Sequence, residues 1–315
     1  GDNPIEKVYN PTSDHRSKIE PEFVSGLIDG QELKGEYRLS KVGLGVGTYT
    51  QNPSDNKDGY VIFENLEIIA KGENIIDKNY DVIGKSGAIE IVPFEISKSD
   101  AYLSQTQIVY SKAEALDSLA FTFFDTNKQL QTITTKDTTL GTISLVEDSA
   151  INVGTYHVKV TINNCELVDG DEYEFEIIPF TITEVDYLSE KEYDATSSVT
   201  NINNSTVLSS SQVFAGDSIE IEGTYVDRDN IAVKNASQDE YSIVFAIKNA
   251  DTLPAKNYIL NVTGKGKITQ RVITLNVNKE LSYKASGEYA IPYKEEDFTM
   301  VGTIVSGQTL EGIVK

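Results

Sequence analysis

Cysteine occurs once, methionine once, histidine twice and tryptophan not at all among the 315 residues. A single thiol excludes an internal disulfide framework, and two histidines leave little material for a metal cluster or a histidine-based catalytic site. No apolar run approaches the ~20 residues of a membrane-spanning helix, and no basic-then-apolar signal opens the chain. Direct membrane insertion is therefore not expected of this stretch. Positive charge is also scarce: 27 Lys and Arg stand against 49 Asp and Glu, for a net charge of −22. Such a surface repels a phosphate backbone and an anionic bilayer, which argues against nucleic acid and membrane as partners. The length corresponds to two to four domains with room for several cores. The opening at Gly1 and the abrupt end at Lys315 read as a fragment of something longer.

What the chain does have is Val, Ile, Thr, Tyr and Phe, in segments separated by Asn, Asp, Gly and Ser clusters. Residues 153–162, 173–177 and 218–222 alternate apolar and polar side chains, as half-buried strands do. One stretch, 111–119, has a helical flavour and is short enough to be one or two turns within a loop. The composition predicts an all-β protein.

Internal repetition is the strongest signal. Residues 24–35 and 301–312 share Val, Gly, Gln, Leu and a final Gly at a constant offset of 277, or three periods of about 92. A tyrosine followed by a short polar turn recurs as Tyr9-Asn10-Pro11-Thr12, Tyr110-Ser111-Lys112-Ala113, Tyr193-Asp194-Ala195-Thr196 and Tyr283-Lys284-Ala285-Ser286. Val-Gly-Thr-Tyr occurs at 46–49 and 153–156, and Lys-Asn-Tyr at 78–80 and 256–258. Closing strands recur at 87–96, 173–182 and 266–275. These landmarks predict modules at 1–96, 97–183 and 184–275, and the truncated start of a fourth at 276–315.

The landmarks also fit the parts of a β-sandwich. A glycine before Thr-Tyr lets the chain turn, and the tyrosine then plants its ring in the core with its hydroxyl free to reach loop backbone. Immunoglobulin-like sandwiches use such a corner, which Tyr49 and Tyr156 would occupy. Pro93 and Pro179 end ladder pairing, and no flexible tether follows them. The expected object is an elongated, semi-rigid array of small immunoglobulin-like β-sandwich modules. A β-grasp module, with 111–119 as its helix, is the structural alternative.

The series Tyr-x-x-Thr/Ser, Gly-Gln-x-Leu-x-Gly, Val-Gly-Thr-Tyr, Lys-Asn-Tyr and Gly-x-Ile-x-Ile resembles the MBG/YDG repeats of bacterial surface proteins. The resemblance spans most of the chain, although Ala195, Pro11 or Lys112 stands where the family has glycine after Tyr-Asp. It implies tandem modules of a Gram-positive adhesin, at the cell wall or secreted, with no catalytic residues to carry over.

Candidate sites are few, and each has a plain structural reading. His157 falls on a strand face and His15 in a polar loop. Cys165 lacks a neighbouring base, and Glu166, Asp169 and Asp171 would raise its pKa, so it reads as a structural thiol. No cofactor is expected. The one ion that the acidic turns would suit is structural Ca²⁺, with Asp227, Asp229 and Asn230 as ligands. Asp169-Gly170-Asp171-Glu172 and Asp55-Asn56-Lys57-Asp58-Gly59 are similar, but turns favour Asp, Asn and Gly for backbone reasons alone. Tyr102, Tyr187 and Tyr289 are aromatics that could face a saccharide, and 197–211 is a polar loop containing the sequon at Asn204. Lys–Asn isopeptide bonds would show as loss of one ammonia per bond in the intact mass. Without recurring catalytic carboxylates the chain is not expected to be an enzyme. The expectation is a stalk of an adhesin whose partners are its own neighbouring modules; the rival is an array that itself binds a host glycan or host protein.

Overall fold

The computed structural model describes residues 4–20, 24, 26–28, 30–52, 54, 58–70, 73–75, 88–200, 202, 213–278, 291–292, 294–311 and 313–314. The chain is all-β, built from many small sheets, with no α-helix among the described residues. The 111–119 segment contributes one 3-10 turn, Ala115–Ser118, which caps itself through the Leu119 N–H on the Leu116 carbonyl. A β-grasp module needs a helix there, and this turn does not supply one.

Two compact units divide the chain. One comprises Gly1–Ile108 and Ala113–Ile177, the other Val109–Lys112 and Ile178–Lys315. In the first unit, strand Ile5–Val8 runs parallel to Ile89–Val92, which pairs antiparallel with Gly47–Tyr49. A four-stranded sheet of Ser17–Lys18, Gln31–Leu39, Val61–Ala70 and Glu73–Ile75 accompanies it. Tyr37, Leu39, Tyr49, Val61, Ile89 and Ile91 from these two sheets form one buried cluster with Leu44 of the intervening loop. Phe94–Ile96 then runs parallel to Cys165–Leu167. Ala120–Phe124 lies between Leu130–Thr134 and Ala101–Leu103, and a four-stranded sheet orders Gln107–Val109, Glu172–Ile178, Gly154–Ile162 and Gly141–Leu145. In the second unit Phe180–Ile182 runs parallel to Tyr258–Leu260, and a sheet orders Glu190–Glu192, Thr263–Thr269, Tyr241–Ile247 and Ile221–Val226. Thr274–Val277 pairs with Phe298–Val301, and Ile291–Pro292 with Ile313–Val314.

Period-two alternation sets which faces are buried. In Gly154–Ile162 the buried side chains are Val158, Val160 and Ile162; in Glu172–Ile178 they are Phe175 and Ile177. The 218–222 segment becomes strand only from Ile221, although Ile219 is buried as its alternation requires.

Both tyrosine corners form. The Tyr49 hydroxyl donates to the Gly45 carbonyl and the Tyr156 hydroxyl to the Asn152 carbonyl, each four residues back and each at 2.8 Å. The glycines preceding them do a different job from the sharp turn expected. Gly47 and Gly154 open their strands at φ 153° and 159°, a backbone conformation that a residue with a Cβ rarely adopts. The Tyr156 ring packs in van der Waals contact over Gly154.

Candidate functional site

The residues marked by the sequence go mostly to structural tasks. His157 sits on its strand with Nδ1 3.0 Å from Glu147 and Nε2 3.8 Å from Glu174. The hydrogen bond to Glu147, supported by the charges of Glu147, Glu174 and Glu172, raises its pKa against the opposing desolvation. His15 is a loop residue, but it is only 8% exposed and its Nε2 has no hydrogen-bond partner. Burial, then the Lys7 charge, lower its pKa against the pull of Asp14. Cys165 is half-buried and unpaired, its thiol pushed up to about 11 by burial first and Asp125 second. The carboxylate that acts on it is thus across the fold rather than among its sequence neighbours.

The acidic turns are held by their own backbone. Asp227 Oδ1 accepts the N–H groups of Asp229 and Ile231, both at 2.9 Å, while Asn230 takes the left-handed conformation at φ 61°. Asp125 does the same for Asn127 and Gln129, with Lys128 at φ 57°. A short acceptor that caps a tight hairpin is a common backbone use of Asp. Asp169 accepts the Lys98 N–H at 2.9 Å, and Asp171 lies 3.2 Å from Lys159. Among the described residues no group of three or more His, Cys, Asp or Glu is arranged to hold a metal. The 55–57 part of the third acidic cluster lies outside the described residues, as do Tyr289, Asn204 and most of 197–211.

Of the two remaining aromatics, Tyr102 is 49% exposed. Tyr187 is engaged: its hydroxyl accepts the Lys265 N–H at 3.1 Å and donates to the Lys265 carbonyl, and its ring lies 5.0 Å from Phe245.

Two polar clusters in the second unit escaped the sequence reading. Lys191 has a side chain only 3% exposed, and its ammonium donates to Asp194 Oδ1 (2.7 Å), the Thr196 carbonyl (2.8 Å) and Thr196 Oγ1 (2.9 Å). The ammonium also stands 5.6 Å from the centre of the Tyr225 ring. Burial pushes the Asp194 carboxyl up, but Lys191 and Thr196 together hold it below its usual value. The first unit carries a simpler counterpart, with Lys7 5.8 Å from the Tyr37 ring and donating to Ser17. The signal available was Lys-x-Tyr-Asp/Asn-x-Thr at 7–12 and 191–196.

The second cluster centres on Asp217, whose side chain is 7% exposed. Its Oδ2 accepts the hydroxyls of Tyr110 (2.6 Å) and Tyr258 (2.7 Å), and Oδ1 accepts Lys112 (2.7 Å). Burial raises the carboxyl's pKa, but Lys112 and the two phenols outweigh it and the net shift is downward. The Tyr110 phenol is pushed up to about 12 by burial and by the carboxylate; Tyr258 is raised for the same reasons. The rings of Tyr110, Phe214 and Tyr258 close around the group, Tyr110 edge-on to the other two at 5.5 and 5.4 Å. The carboxylate and both phenols are thus partnered within the cluster, while the Lys112 side chain stays 36% exposed.

A cavity of about 520 Å³ opens in the second unit beside Tyr193, Arg271, Val272, Val305 and Gln308. Gln308 Nε2 donates to the Tyr193 hydroxyl at 2.5 Å, and Arg271 is paired with Glu192 at 3.2 Å.

Fold and side chains together define an all-β protein of small, repeatedly used sheet and turn elements. No protein-family model matches the chain, and no curated protein matches it. Among solved structures it is weakly similar to the surface layer protein SbsC, domains 4–9, at 12% identity and a TM-score of 0.20. That similarity covers 98% of this chain and spans 60% of the length of the other. A superposition this loose carries no argument about role.

Proposed function

We propose that this chain is a non-catalytic repeat region of a bacterial cell-surface or secreted protein, acting as a semi-rigid stalk of an adhesin. The observation that carries the reading is one structural position used three times. The backbone N–H of Tyr9 donates to Val92, that of Tyr110 to Ile178 and that of Tyr193 to Thr269, at 2.9, 2.8 and 2.9 Å. In each case the tyrosine directly follows a short strand, and the acceptor is the last residue of a closing strand. Repeats defined this way begin at Phe94 and Phe180, just after Pro93 and Pro179, because those strands pair forward with Cys165–Leu167 and Tyr258–Leu260. The polar residues in the described clusters cap turns and pair with one another, which supports a scaffold rather than an enzyme. The resemblance to MBG/YDG repeats agrees with this reading.

Small-angle scattering on the purified protein tests it. A compact globule of this length has a radius of gyration of about 20 Å. A stalk gives a value well above that, and a value near it overturns the reading.

A second reading is that the modules bind a host glycan or protein, and the cavity beside Tyr193, confined to one unit, is the observation in its favour. Glycan-array binding lost on Tyr193→Ala supports it; an array without signal sets it aside.

A further inference from the structure

We propose that consecutive modules are joined by a repeated side-chain latch, in which the tyrosine after one module's opening strand pairs with the side chain that follows the glycine turn of the next. The inference rests on the modular reading above. All residues involved lie in the second unit.

The turn is the same structure each time. Asp217 N–H bonds to the Phe214 carbonyl with Gly216 at φ 85°, and Gln308 N–H bonds to the Val305 carbonyl with Gly307 at φ 82°. The Ile28 to Gln31 turn matches both, with Gly30 at φ 84°. Only glycine takes the third position of such a turn without strain. The residue after that glycine therefore leaves the turn in a fixed direction. Asp217 meets the Tyr110 phenol, and Gln308 meets the Tyr193 phenol. Tyr110 and Tyr193 are themselves equivalent, each anchored through its N–H to the end of a closing strand.

Two latches of one geometry thus use different chemistry. The Asp217 latch is charged, with Lys112 also reaching the Ala215 carbonyl at 2.7 Å, and is walled by aromatic rings. The Gln308 latch is neutral and borders the open cavity, so that cavity is the seam beside it. A buried, fully partnered carboxylate admits few alternative arrangements, so the first latch should hold its segment more firmly.

Lys112 and Arg271 make the test direct, because trypsin cleaves after each and each adjoins one latch. In the full chain, Asp217→Asn or Tyr110→Phe should raise the cleavage rate after Lys112 several-fold and leave the rate after Arg271 unchanged. Gln308→Ala or Tyr193→Phe should do the reverse. Folding of each variant is checked by its thermal transition, and the two Tyr→Phe changes preserve the rings should the others fail to fold. Unchanged cleavage at both sites in folded variants overturns the latch, and so does a rise at both sites together. The scattering measurement on the unsubstituted protein judges the stalk reading separately.

Discussion

Tyr156 shows how much one hydroxyl fixes. Its ring packs on Gly154 while its oxygen reaches the Asn152 carbonyl, so the loop before the strand is tied to the strand itself. Tyr156→Phe keeps the ring and removes the bond, and should destabilise the first unit by about 1 kcal/mol in urea unfolding. Ala195 is the opposite case. It stands at φ 61°, a left-handed conformation that strains any side chain with a Cβ. Ala195→Gly should therefore stabilise the second unit by up to about 1 kcal/mol, read as a higher denaturation midpoint with unchanged slope. The alanine at this turn was visible in the sequence, and the structure shows which backbone angle makes it matter. Lys191 was not visible in the same way. Its neighbours mark a turn, but only packing against Tyr225 reveals that the ammonium is enclosed.

At the scale of an element, strand Thr263–Thr269 is instructive. Its inward positions are Gly264, Gly266 and Ile268, so two of the three have no side chain to bury. Neighbouring aromatics use the space: a Cβ on Gly264 would lie 2.7 Å from the Phe245 ring and 2.9 Å from the Tyr187 hydroxyl. Gly264→Ala should cost about 1–3 kcal/mol through overpacking, lowering the second unit's transition and leaving the first unit's unchanged. The alternation of 153–162 was readable because each polar side chain there interrupts an apolar one. In 263–269 the inward glycines carry no hydrophobic signal, so that strand's burial could be recognised only with Phe245 and Tyr187 in place. The Asp227 hairpin lies between these cases. Its turn was legible, whereas the capture of its carboxylate by two backbone amides required the folded loop.

For the whole molecule, lowered carboxylates occur in both units, Glu64, Asp137 and Glu147 being those of the first, while the shifted imidazoles belong to the first alone. In the second, Asp194 and Asp217 have lowered folded values, so their contribution is present above the unfolded value near 3.8 and is lost as pH falls through the folded one. In the first, the two imidazoles oppose each other. The raised pKa of His157 gives a contribution complete below 6.5 that disappears as pH rises through the folded value. The lowered pKa of His15 gives one present above 6.5 that is lost as pH falls through its own folded value. His157→Gln should consequently weaken the first unit at pH 6 and leave it nearly unchanged at pH 9. Urea unfolding followed at both pH values checks this, and equal loss at both would contradict it.

The sequence by itself determined the all-strand class, the recurring tyrosine and glycine turns, the tyrosine corners and the acidic surface. Each of these is written in side chains a few residues apart, at the range over which strand alternation and turn conformation act. Tertiary structure decided which repeated residues meet. Tyr110 finds Asp217 across 107 residues and Tyr193 finds Gln308 across 115, and no local preference reaches that far. Those meetings follow from where the closing strands end and in which direction a glycine turn sends the next side chain, and both are settled only when the sheets have formed.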